Sequence, residues 1–199
     1  MGRIQTDENN SRRDIIINKA ATLFKEKGFK AASMRELAEI VGVEAASLYN
    51  HIHSKSELLH IICFEVADRY TKMIDEVEAE NTTGIQKVEK LLRFHITGMV
   101  KHFDEVYVSD REWKYLADPD LSTYQEQRRI YRKRFASIIE QGIQKGEIKD
   151  IDPTTAVLIL LHAVSGIESW QRSKVKINGR ELEENMVTIL VGGLKRNRE

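Results

Sequence analysis

Apolar positions recur along most of this chain at the three-and-four spacing of a helix surface, and clusters of turn-forming residues interrupt them. Over 14–27, Ile16, Ala20, Leu23 and Phe24 fall at i, i+4, i+7 and i+8, and Gly28 follows where a helix end favours a left-handed residue. That spacing predicts an amphipathic helix. Ser33 and Glu36 form a capping-box pattern ahead of Met34, Leu37, Ala38 and Val41, a short helix that Gly42 stops. A second short helix is expected over 45–53. A long one over 54–80 carries Leu58, Ile61, Ile62, Val66, Met73 and Val77 on one broad face and ends before Asn81, Thr82, Thr83 and Gly84.

Beyond Gly84 the same periodicity predicts helices over 85–103, 105–117, 122–145, 153–172 and 180–195. Their breaks at 118–120, 146–152 and 176–179 consist of turn formers, and Pro153 suits the first turn of its helix. Residues 1–10 are polar and without periodicity, which reads as a flexible arm carrying Arg3, with Arg12 and Arg13 at its junction with the first helix. The expected fold is all-α, with no internal repeat.

Composition narrows the function. Two prolines and eleven glycines favour helices with short connections, and a hydrophobic content of 41% supplies a core. The 31 basic and 31 acidic residues cancel, so global charge gives no sign of nucleic acid or membrane. Residues 1–60 hold nine Lys/Arg against eight Asp/Glu, so any grip on DNA must come from local placement of charge. The one cysteine, Cys63, lies in an apolar stretch and has no partner for an intramolecular disulfide, which fits a reducing cytoplasm. No apolar run approaches the ~20 residues of a membrane span, and no signal peptide is read.

The informative stretch is 33–58. Two short helices joined by a tight turn containing glycine are the arrangement in which a first helix braces a second in the major groove of DNA. Small Ala38 lets the helices approach, Gly42 makes the turn, and Val43, Leu48 and Ile52 are expected to pin the second helix on the first. The positions Ser33, Leu37, Ala38, Gly42, Val43, Tyr49, Ile52 and Lys55 resemble the N-terminal signature of the TetR family of bacterial regulators, and Ala20, Leu23, Phe24, Gly28 and Phe29 are similar to its first helix. The resemblance covers about residues 14–60. Glu44 stands where that family often has Ser, and Ile52 where it usually has Phe. An acid there is favoured by the helix dipole and is able to accept from a cytosine amine.

The resemblance implies a fold of two parts: a three-helix helix-turn-helix DNA-binding domain with its arm over 1–55, and a helical ligand-binding and dimerisation domain over 56–199. It implies a repressor that binds a palindromic operator as a homodimer and is released by a small-molecule effector. Ser33, Tyr49, His51 and Lys55 would then bind phosphates, and Arg35, Ala45, Ala46 and Asn50 would meet base edges, with Arg12 on a phosphate or in the minor groove. Taken singly, Tyr49 also reads as a core aromatic and Lys55 as a solvated charge; the joint spacing favours DNA.

The resemblance also implies that the last two long helices pair with those of a second subunit. Ala156, Leu160, Ala163, Val164 and Ile167 form one apolar stripe and Met186, Ile189, Leu190 and Gly193 another, and either stripe also suits a core within one chain. Among the middle helices, His95, Trp113, Tyr124, Arg128, Tyr131, Arg132 and Trp170 are the candidate effector-binding residues. The run Arg128, Arg129, Arg132, Lys133 and Arg134 beside aromatics suits a ligand with phosphates, and also reads as a solvated charged face. With the run from Arg111 to Leu116, it resembles the subgroup of TetR-like regulators that bind coenzyme A thioesters.

Catalytic and metal motifs are missing: no Gly-rich phosphate loop, no H-E-x-x-H, no C-x-x-C and no partner at motif spacing for Cys63. The chain is therefore read as a non-enzyme with no cofactor and no metal. A different class, a helical protein–protein adaptor with a degenerate helix-turn-helix, is motivated by the neutral charge and by Glu44.

Overall fold

The computed structural model describes residues 3–173 and 177–196, with side chains from Arg12 onward. Among the described residues ten α-helices and one 3₁₀ turn follow one another: α1 (Arg3–Lys27), α2 (Met34–Val41), α3 (Ala45–Leu48), α4 (Lys55–Ala79), α5 (Gly84–Lys101), α6 (Phe103–Arg111), the 3₁₀ turn Trp113–Tyr115, α7 (Asp120–Gln144), α8 (Pro153–Ser165), α9 (Ile167–Arg172) and α10 (Gly179–Leu194). Among the described residues no strand forms; Ile148 and Lys195 make an isolated bridge. The all-α expectation is met.

The chain divides into two compact units. The first takes Met1–Ala67 together with Asp104–Gln125; the second takes Asp68–Phe103 and Glu126–Glu199. This differs from a single cut at 55/56, because helix periodicity carries no information about which distant segment packs with which. In the first unit, Ile16, Ala20, Phe24, Leu37, Leu48, Ile52 and Leu58 form a core with Val108, Leu116 and Tyr124 from the later segment.

Local chemistry explains most helix ends. Ser33 caps α2, its Oγ accepting from Glu36 N–H at 3.2 Å, and Gly42 closes it in the left-handed region at φ 79°, where a side chain would be strained. Thr83 and Gln86 form a complete capping box on α5, and Asp152 and Asn178 cap α8 and α10. Where Gly84 and Gly142 meet, a Cβ on Gly84 would lie 2.8 Å from the Gly142 Cα, so only glycine allows that approach.

Several expectations shift. The backbone of α1 is helical from Arg3, within the stretch that composition assigns to a flexible arm; the side chain of Arg3 lies outside the described residues. The α3 helix is one turn, Ala45–Leu48, after which Asn50 and His51 N–H turn back to Ser47 and Leu48 carbonyls. The helix expected over 153–172 is divided at Gly166. Val43 is exposed at 37%, whereas Leu48 at the end of α3 and Ile52 after it are wholly buried.

Candidate functional site: a DNA-reading face and a buried polar pair

In the first unit, burial of Leu37, Ala38, Leu48 and Ile52 fixes which side of α2 and α3 faces outward. Ser33, Arg35, Ala45, Ala46, Tyr49 and Asn50 are all exposed, and His51 is half-buried. Tyr49, at 46% exposure, is therefore not a core aromatic. The small Ala45 and Ala46 leave the start of α3 free of bulky side chains, so its backbone is able to approach a partner closely. Three cations on this unit are locally balanced: Arg35 Nε lies 3.5 Å from Glu39, Lys27 pairs with Glu36, and Arg13 lies 3.8 Å from Glu57. Arg12 is exposed.

Lys55 requires a correction. Its ammonium donates to the carbonyls of Phe29, Lys30 and Ala32 at 2.8, 3.2 and 2.9 Å, and it sits 4.6 Å from the centre of the Phe29 ring. An ammonium has three protons, and all three are committed to the connection between α1 and α2. Lys55 is neither a solvated charge nor placed to bind phosphate; it ties the start of α4 to that connection.

The seven candidate effector residues are divided between the two units. Trp113 and Tyr124 fall in the first unit, where the buried Tyr124 hydroxyl lies 2.6 Å from Ser109 Oγ and donates to the Ser109 carbonyl at 3.0 Å. The Trp113 ring centre lies 6.2 Å from that of Tyr124. Both belong to the packing of the first unit, a placement that the sequence spacing does not reveal. Trp170 is engaged elsewhere, its indole N–H donating to the Ile177 carbonyl at 3.1 Å. Arg132 is exposed and Arg128 half-buried. Their neighbours Arg129 and Arg134 are bound by carboxylates, Arg129 by Glu126 and Arg134 by Asp75 and Glu78, so two of the five cations of the basic run are neutralised.

His95 and Tyr131 do come together, in the core of the second unit. His95 Nε2 lies 2.7 Å from the Tyr131 hydroxyl, and both residues are buried. Burial alone lowers the His95 pKa from 6.5 to about 4, and burial raises that of Tyr131, so at neutral pH both are uncharged. Tyr70 and Phe94 complete an aromatic surround, with the Tyr70 ring centre 4.5 Å from His95 and 5.7 Å from Tyr131. Sequence reasoning missed both; Tyr70 was detectable four residues after Val66 on the apolar face of α4. Gln127, one turn before Tyr131 on α7, keeps a buried side-chain oxygen without a hydrogen-bond partner among the described residues.

The apolar stripe of α8 lies in the core, whereas on α10 Ile189 and Gly193 are exposed and Met186 and Leu190 half-buried, as pairing with a second subunit would require. Ala156, Leu160, Val164 and Ile167 are buried within the chain and belong to its own core. The open apolar side of α8 is instead Leu158 and Ile159, at 55% and 57% exposure, and that of α10 is Ile189 at 70%. A Cβ on Gly192 or Gly193 of α10 would meet nothing within 4 Å among the described residues outside its own helix. Among the described residues no group of three or more His, Cys, Asp or Glu is placed to hold a metal ion, and no helix is long and apolar enough to cross a membrane.

Comparison with known proteins agrees with this architecture. A family model for bacterial regulatory proteins of the tetR family matches residues 16–62, and one for the tetracyclin repressor-like C-terminal domain matches residues 81–194. The transcriptional repressor KstR2 of Mycolicibacterium smegmatis is 23% identical over 190 residues, covering 92% of this chain and 91% of its own length. KstR2 of Rhodococcus jostii is 25% identical over 191 residues, covering 95% and 94%. Among solved structures, the ketosteroid transcriptional regulator KstR2 of Mycobacterium tuberculosis superposes with a TM-score of 0.86 at 22% identity, over 94% of this chain and 97% of that one. AibR in complex with isovaleryl coenzyme A and operator DNA gives 0.78 at 23% identity, over 90% and 98%.

Proposed function

This chain belongs to the TetR family of bacterial transcriptional regulators, and from that premise we propose that it is a cytoplasmic repressor that reads a palindromic operator as a homodimer and is released by an acyl-coenzyme A effector. The observation that carries the DNA reading is the coincidence of exposed Ser33, Arg35, Ala45, Ala46, Tyr49 and Asn50 over buried Leu48 and Ile52. Ser33 and Tyr49 hydroxyls suit phosphate oxygens, as does the exposed Arg12, while Arg35 and Asn50 suit guanine and adenine edges. Ala45 and Ala46 suit thymine methyl groups. His51 is half-buried and contributes at most an imidazole N–H to a phosphate.

Exposed Leu158 and Ile159 on α8 and Ile189 on α10 support pairing with a second copy through these helices, since removing large apolar side chains from water is favourable. The uncharged His95–Tyr131 pair and its aromatic surround support an effector whose buried part is apolar and neutral, as an acyl group is. Gln127 supports one that brings a hydrogen-bond donor, such as an amide N–H. AibR, a fold neighbour, is a precedent for a complex with both isovaleryl coenzyme A and operator DNA.

The test is fluorescence anisotropy on DNA from upstream of the chain's own gene, titrated over salt with and without isovaleryl coenzyme A. A steep fall of log affinity with log salt, and release by the thioester, are the expected results. Arg35→Ala should weaken binding about tenfold, the value of losing one good base contact. Binding without a salt slope would favour the adaptor class, and binding that ignores thioesters would discard the effector class while keeping the repressor.

A further inference from the structure

The connection between α1 and α2, residues 28–32, leads directly into Ser33, the residue that caps α2 and opens the exposed face described above. It is held from two sides. On its carbonyl side, Lys55 takes the oxygens of Phe29, Lys30 and Ala32. On its amide side, Phe29 N–H donates to Glu112 Oε2 at 2.8 Å, a group 83 residues away in sequence. Phe29 itself is wedged among rings: Phe24 meets it edge-on at 5.4 Å, and Tyr115, three residues after Glu112, stacks on it at 5.7 Å with planes 19° apart.

The segment carrying Glu112 is docked on α1 at a second point. Asp104 accepts from Thr22 Oγ1 at 2.6 Å and from Lys25 Nζ at 2.7 Å. Lys30, also in the connection, lies 5.1 Å from the Tyr115 ring centre. These contacts all fall within the first unit, yet none of their later partners belongs to the helix-turn-helix stretch.

We propose that Glu112 is a positioning residue for DNA reading: by holding the Phe29 amide against the pull of Lys55 on the adjacent carbonyls, it sets where Ser33 and α2 sit, and so where α3 meets the groove. A carboxylate on a backbone N–H is a strong, directional hydrogen bond, and without it the half-buried amide loses its partner. The role is indirect, since Glu112 itself is occupied with Phe29. The inference rests on the reading of the α2–α3 face as the DNA contact.

The experiment uses the full chain and a duplex that the wild-type protein selects from a randomised DNA pool, beside an unselected duplex of the same length. Glu112→Ala should bind the selected duplex about tenfold more weakly, as expected for one charge-assisted hydrogen bond, with binding of the unselected duplex within about twofold. Glu112→Gln, whose amide oxygen still accepts from Phe29 N–H, should recover affinity to within about threefold of wild type. Thermal melting of each variant checks folding. Wild-type affinity in Glu112→Ala, an equal loss on both duplexes, or failure of Glu112→Gln to recover would each overturn the proposal. If the wild-type protein selects no sequence at all, the DNA reading itself falls and the positioning role falls with it.

Discussion

The two units solve the problem of buried polarity in opposite ways. In the first, charge is spent on the backbone: Lys55 caps three carbonyls and Glu112 one amide, so ionised groups shape a connection that no regular helix could supply with partners. In the second, the core holds an uncharged pair, His95 and Tyr131, while the ionised groups Arg93 and Arg134 sit near its surface among Glu89, Glu183 and Glu184, and Asp75 and Glu78. Charges fix the geometry of the connection that leads to the proposed DNA-reading face, and neutrality prevails in the core proposed to meet an apolar effector.

Acidification should break the contrast most. The folded pKa of His95 lies below that of the free imidazole, so between about pH 4 and 6.5 the unfolded chain binds more protons than the folded one. Stability is fully present above pH 6.5 and should fall by about 3 kcal/mol as pH drops through that window, at about 1.4 kcal/mol per unit. Urea unfolding from pH 7 to 4.5 checks this. His95→Asn should flatten the slope above pH 4.5, below which paired carboxylates such as Glu184 also begin to take up protons. A slope unchanged in His95→Asn would mean that the second unit's core is not the seat of the acid sensitivity.

Lys55→Met should cost about 2 kcal/mol, because the methylene packing survives while three carbonyls lose a charged donor. Urea unfolding reads the stability, and DNA binding should fall more on a selected than on an unselected duplex, as for Glu112→Ala. A loss confined to the salt slope on DNA, with stability intact, would instead restore Lys55 to a phosphate. Arg93→Met should cost about 1 kcal/mol, since its guanidinium joins α5 to Glu183 and Glu184 on α10 from a partly exposed position. Arg129→Ala should leave the unfolding midpoint unchanged, its pair with Glu126 being fully solvated.

Much of the first unit was legible because its signals are short. The Ser33 cap, the left-handed Gly42 and the alternation of Leu37, Ala38, Leu48 and Ile52 each act within a few residues, and each is present as expected. Lys55 shows the limit: its spacing suggested a phosphate, but spacing says nothing of which acceptors lie nearer. The apolar stripe of α8 suits either a core or a subunit interface for a related reason. A helix hydrophobic over most of its circumference, with Ala156, Leu160 and Val164 on one side and Leu158 and Ile159 on another, has no single inward face until its neighbours are in place. Residue type alone cannot separate Trp113 and Tyr124, which pack into the first unit, from His95 and Tyr131, which pack into the second.

By itself, then, the amino-acid order determined the helical class, the caps, the α2–turn–α3 arrangement and the family to which the chain belongs, because these depend on interactions spanning one or two helical turns. The tertiary structure alone decided that Asp104–Gln125 packs with the first unit, that Lys55 and Glu112 grip one connection, and that His95 meets Tyr131. Those outcomes join groups tens of residues apart, and a hydrogen bond 2.7–2.9 Å long between such groups is fixed by packing, not by spacing along the chain.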